Sequence, residues 1–265
     1  MQIRMKLSLV LFIIGLLKSS QSVKINKLEV PEVIHYGKPV VLDCDFTLED
    51  KDDELVVKWF FNGKWVYQWI PGAKKRPQGL GILKDRLNLE YAASVDANSI
   101  HRALHILKAD PDLSGNYTCS VSTVQSEDIE TKSMLVLVSE KNLLLRVLNA
   151  KDGFINVECI AEGIFPMPDM VLRSQQRNIT EPDVTFRRRG KLFEVSATTT
   201  LPALNDPEEF SCKLHIPEAN YTTRRETVFY PGSSGNLNSN LLWLTAVIYI
   251  VNTSLGYGIT HIGRC

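Results

Sequence analysis

Residues 104–119 read LHILKADPDLSGNYTC: an apolar alternation runs into a Pro-Asp step, a Ser-Gly turn and a cysteine two residues after a tyrosine. Leu104, Ile106 and Ala109 are the apolar positions leading into the corner. Working back from Cys119, the first cysteine is Cys44, which closes VVLDC with Val40 and Leu42 on its own face. Trp59 stands fifteen residues after it. Two cysteines on facing sheets, a tryptophan packed on their bridge and a tyrosine closing the corner describe a β-sandwich with a small set of connections.

This spacing is that of an immunoglobulin-like sandwich, and the 75 residues between Cys44 and Cys119 leave room for extra edge strands. Residues 23–138 are therefore expected to form a variable-type domain. Leu113 stands where such corners usually carry Asp. The ion pair made by that Asp is expected to be missing.

Residues 56–70, VVKWFFNGKWVYQWI, predict a hairpin around Asn62-Gly63, because a two-residue turn with positive φ at both positions favours that pair. An unbroken register opposes Phe61 to Lys64, Phe60 to Trp65, Trp59 to Val66, Lys58 to Tyr67 and Val56 to Trp69. Opposed residues share a face. With Trp59 turned into the core, Phe60, Trp65, Tyr67 and Trp69 are expected to point outward as a partner-binding patch. The alternative is that residues 71–90 fold back over the rings.

Residues 139–230 repeat the pattern in shorter form. FINVEC alternates into Cys159, DMVLRS supplies a following strand, and FSC brings Phe210 and Cys212, 53 residues after Cys159. No tryptophan follows Cys159, so Leu172 is expected beneath the bridge, and Phe210 replaces the corner tyrosine without its hydroxyl. A constant-like sandwich follows, and the fold class is all-β with two tandem immunoglobulin-like domains. Four cysteines allow three pairings. Cys44–Cys119 with Cys159–Cys212 is the one that keeps each bridge inside a domain-sized segment.

The N-terminus, MQIRMK followed by LSLVLFIIGLL and KSSQS, reads as a signal peptide over residues 1–22, which makes disulfides the default for the cysteines. Residues 231–265 combine small residues at 232–235 with an apolar run at 241–251, shorter than a spanning helix needs. They resemble a GPI-attachment signal whose removal would also remove Cys265. Thirty basic and thirty acidic residues cancel, so no global field points to nucleic acid. The expected location is the outer cell surface or the extracellular space.

Asn116, Asn178 and Asn220 each begin an Asn-x-Thr glycosylation acceptor. Arg187, Arg188, Arg189 and Lys191 gather near Gly190 and read as a solvated hairpin tip, with heparan sulfate binding as the alternative. His101 and His105 are the one close histidine pair, read as exposed strand residues too far apart for one metal. No catalytic, metal-binding or cofactor-binding motif appears, so a binding module is expected rather than an enzyme.

The opening L-x-V-P at Leu28–Pro31, LVVKWFFNGKWVYQWIP, LSGNYTC with its apolar residue before Ser-Gly, and the FPMP turn at Phe165–Pro168 resemble the Beaten path family of two-domain cell-surface proteins of axon guidance. That resemblance covers most of residues 24–230. It implies binding of a Sidestep-type immunoglobulin receptor through the first domain, with membrane attachment through the tail. A soluble immunoglobulin-domain binding protein is the other reading, and it would call for an enclosed apolar cavity.

Overall fold

A computed structural model of the chain describes residues 23–48, 54–73 and 76–232. The signal-peptide reading, the GPI-signal reading and Cys265 lie outside the described residues. Nine strands build the first unit: β1 (Lys24–Glu29), β2 (Val33–His35), β3 (Val40–Thr47), β4 (Val56–Phe61), β5 (Lys64–Trp69), β6 (Gln78–Gly79), β7 (Leu104–Ile106), β8 (Gly115–Ser122) and β9 (Glu127–Leu137). Seven build the second: β10 (Asn142–Asn149), β11 (Phe154–Ile164), β12 (Asp169–Ser174), β13 (Asp183–Arg189), β14 (Leu192–Pro202), β15 (Glu208–Ile216) and β16 (Tyr221–Phe229).

In the first unit a sheet of order β1-β3-β7 faces a six-stranded sheet of order β2-β9-β8-β4-β5-β6. The β2–β9 pair is parallel and the other named pairs are antiparallel. The second unit packs β10-β11-β14-β13 on β12-β15-β16, a four-on-three sandwich of constant type. The cores follow the period-two pattern of each strand. On β3, Val40, Leu42, Cys44 and Phe46 point inward and the residues between them outward.

Disulfides Cys44–Cys119 and Cys159–Cys212 join the two sheets of each unit. Trp59 pairs with Cys119 across β4 and β8 and is fully buried, its indole Nε1 donating to the Arg102 carbonyl at 3.0 Å. The Tyr117 hydroxyl donates to the Leu113 carbonyl at 2.8 Å, which closes the corner, and burial raises the phenol's pKa. In the second unit Leu172 pairs with Cys212 and Phe210 is fully buried.

The missing ion pair at the corner is corrected by the structure. Asp112, one residue before the usual position, takes a bidentate pair from Arg86 at 2.9 and 3.1 Å. Leu113 is then free to enter the core. Those hydrogen bonds, with Lys191 beside them, hold the Asp112 carboxyl down at about 2 against the opposing effect of partial burial.

The hairpin register is also corrected. Asn62 and Gly63 both have positive φ, and Phe61 faces Lys64 and Phe60 faces Trp65. Trp59 then pairs with Tyr67, so Val66 is an unpaired extra residue, a β-bulge. One inserted residue reverses the facing of everything beyond it. Tyr67 and Trp69 therefore turn into the core, 2% and 4% exposed, and their expected place on the outer face does not hold.

The long connection between β6 and β7 receives these two rings. The Tyr67 hydroxyl donates to the His101 carbonyl at 2.6 Å, and the Trp69 ring meets the His101 imidazole edge-on at 5.5 Å. Arg102 ties the connection to β3 through Asp43 and Asp45. The rings thus meet residues around 101, in a core that Leu83, Leu87 and Leu89 of the 71–90 segment also join. His101 lies outside any strand, and His105 on β7 packs against the Tyr91 ring. Both are half-buried, against the expected exposure, and only His105 is a strand residue.

Candidate partner-binding face

The outer face of β5-β4-β8-β9 is a lattice of side chains set by pairing. One row crosses Trp65, Phe60, Thr118 and Thr131, and the next crosses Gln68, Lys58, Ser120 and Ile129. A third holds Val56, Ser122 and Glu127. Of the four aromatics expected here, Phe60 is half-buried and Trp65 is 46% exposed, while Tyr67 and Trp69 belong to the core. The structure adds Ile129, 54% exposed, which sequence reading passed over because β9 alternates around polar residues.

Local bonds hold the lattice in place. Trp65 Nε1 donates to the Tyr67 carbonyl at 2.9 Å, bridging the bulge and laying the indole along the sheet. The Lys58 ammonium sits 5.9 Å from the Trp65 ring centre, a cation–π arrangement that leaves the charge at the surface. Thr118 and Thr131 share a hydroxyl hydrogen bond at 2.8 Å, and Ser120 donates to Glu127 at 2.8 Å. An exposed indole on β5 and an exposed isoleucine on β9 flank a middle of Phe60, Lys58, Thr118 and Ser120, a face of mixed apolar and polar character.

The other predicted positions fall outside this cluster or on its border. Asn116 is exposed at one end of the same face, while Asn178 and Asn220 are exposed on the second unit. The basic tip is not simply solvated. Lys191 reaches the first unit, donating to Asp110 at 2.6 Å and Asp112 at 3.0 Å, and Arg189 pairs with Glu194 at 2.7 Å. The junction is also held by backbone bonds between Val138 and Phe165 and by the Tyr221 hydroxyl on Glu140 at 2.9 Å. Burial first, and the Glu140 carboxylate second, push the Tyr221 phenol up to about 12.

A half-open cleft of about 610 Å³ at this junction is lined by Tyr36, Leu137, Val138 and Leu192 beside the charged Asp110 and Lys191. Among the described residues no group of three His, Cys, Asp or Glu side chains is placed to hold a metal, and no helix is long and apolar enough to cross a membrane.

Residues 11–143 match the family model of the CD47 immunoglobulin-like domain. Butyrophilin subfamily 2 member A2 of Mus musculus is 26% identical over 175 residues, covering 63% of this chain and 33% of that protein. Selection and upkeep of intraepithelial T-cells protein 2 of Mus musculus is 24% identical over 267 residues, covering 94% of this chain and 64% of that one. The chain thus spans between about a third and two-thirds of the length of the curated relatives it matches. The crystal structure of bovine butyrophilin has the same fold, with a TM-score of 0.59 at 15% identity over 78% of this chain and 98% of that one. The relatives and the fold are those of immunoglobulin-domain recognition proteins, not of enzymes.

Proposed function

Because the chain belongs to the CD47 immunoglobulin-like domain family, we propose that it is a cell-surface recognition protein whose first domain binds another immunoglobulin-superfamily receptor through the outer face of β5-β4-β8-β9. The observation that carries this reading is Trp65, half exposed at the β5 end of a row that runs through Phe60, with Ile129 exposed in the next row on β9. Exposed aromatic anchors on a rigid sheet lose little side-chain freedom on binding, and such residues dominate interface energetics.

The finer reading is a Sidestep-type receptor as partner, in adjusting contact between axons or between nerve and target. It is supported by the L-x-V-P opening, LSGNYTC and the FPMP turn. Attachment through residues 231–265 completes that reading.

The test displays the full-length protein on cells and screens it against soluble ectodomains of cell-surface immunoglobulin proteins, Sidestep-type receptors included. Trp65→Ala should weaken the binding found by about 2 kcal/mol, some thirtyfold, at unchanged surface level. Undiminished binding by both Trp65→Ala and Phe60→Ala would move the interface off this face.

A further inference from the structure

We propose that Asn116 carries an N-linked oligosaccharide that shields the junction end of the outer sheet face, the row of Thr118, Phe60 and Trp65, and so limits a partner's access to those anchors, while the rows of Lys58, Ile129 and Glu127 stay open. What the sugar regulates rests on the face reading above; the presence of the sugar and the shielding do not. Asn116-Tyr117-Thr118 is an acceptor triplet, and alternation on β8 sends Tyr117 into the core and Asn116 out to solvent.

Two observations fix where a sugar on Asn116 would lie. Asn116 follows directly on the Asp110–Asp112 corner that Lys191 grips from the second unit, so it stands at the junction end of the strand. It is also locked to the hairpin tip, its N–H donating to Asn62 Oδ1 and its carbonyl accepting from the Asn62 N–H, both at 2.8 Å. A sugar there stands beside the row of Thr118, Phe60 and Trp65, about 7 Å along the strand. The rows of Ser120 and Ser122 lie about 13 and 20 Å away, toward the β8–β9 turn at the opposite end.

A second acceptor strengthens the asymmetry. Asn220 is exposed next to Tyr221, whose hydroxyl reaches Glu140 across the junction. Among the described residues, two of the three acceptors therefore cluster near the junction, and none of the three lies at the far end of the face.

The donor required is an oligosaccharide linked through pyrophosphate to a polyprenyl lipid. The Asn116 amide nitrogen forms a bond to C1 of the first sugar, and the bond from C1 to the pyrophosphate oxygen breaks with its electron pair. The lipid pyrophosphate leaves and one amide proton is lost, with no change of oxidation state.

The full chain, expressed in animal cells, is treated with a glycan-releasing amidase in heavy-oxygen water and mapped by mass spectrometry. Asn116 should be recovered as labelled Asp. Hydroxyl-radical labelling before and after release should then rise several-fold at Phe60, Trp65 and Thr131 and stay level at Ile129 and Val124. Asn116→Gln should reproduce the released pattern; if that variant is not secreted, release from folded wild-type protein carries the test. An unmodified Asn116, or labelling that rises equally at Ile129, would overturn the proposal. Neither readout uses a partner, so a failure of the binding reading leaves this result interpretable by itself.

Discussion

Replacing Trp69 and Trp65 separately by alanine tests the bulge at Val66, because the two tryptophans are four residues apart and an unbroken strand would put them on one face. Trp69 is 4% exposed and packs edge-on against His101, so Trp69→Ala empties a large core site. The loss is about 3–5 kcal/mol. For a domain of roughly 110 residues, each kcal/mol moves the midpoint by about 4 °C, so the first-domain Tm should fall by about 12–20 °C.

Trp65 is 46% exposed and gives up one hydrogen bond to the Tyr67 carbonyl and one cation–π contact with Lys58. Trp65→Ala should cost about 1 kcal/mol or less, near 4 °C. Calorimetry of the secreted protein, in which the second domain provides an internal reference transition, measures both. Equal and small shifts, or a larger loss at Trp65 than at Trp69, would refute the bulged register and put Tyr67 and Trp69 back on the outer face.

Tyr67→Phe keeps the ring but leaves the His101 carbonyl without its donor, and should cost about 1–3 kcal/mol in the same calorimetric experiment. The Asp112 carboxyl is depressed from 3.8 to about 2, so its contribution is complete above pH 4 and is lost as pH falls toward 2; acid titration of first-domain stability should show a loss in that window that Asp112→Asn removes. Lys191→Ala should leave overall stability within about 1 kcal/mol, because the ammonium is half exposed, while small-angle scattering shows a wider spread of inter-domain angles; an unchanged spread would mean that the remaining contacts hold the junction without Lys191. Treatment of expressing cells with a phosphatidylinositol-specific phospholipase should release the protein, and retention with an intact tail would exclude GPI attachment through residues 233–235.

The sequence by itself determined the features whose chemistry is local. The Cys44, Trp59, Tyr117 and Cys119 spacing specified a sandwich because a bridge, a ring packed on it and a corner hydroxyl need those residues at those separations. Asn62-Gly63 specified the hairpin because both positions take positive φ. The shorter Cys159 to Cys212 segment, with Leu172 and Phe210 at the bridge, marked a second, smaller sandwich for the same reason.

Facing within β5 was decided only in three dimensions. In KWVYQW the rings Trp65, Tyr67 and Trp69 share one parity, so strict alternation keeps them on one face and gives no sign of the bulge at Val66 that separates Trp65 from the other two. The choice fell to the core, where the backbone carbonyl of His101, more than thirty residues away, accepts the Tyr67 hydroxyl and the His101 ring receives Trp69. Arg86 meeting Asp112 and Lys191 meeting Asp110 are likewise contacts between residues distant in the chain. A sequence shows which side chains are able to make such contacts. Only the packed sheets show which of them come within hydrogen-bonding distance, and here that placement left Trp65 on the outer face and took Tyr67 and Trp69 into the core.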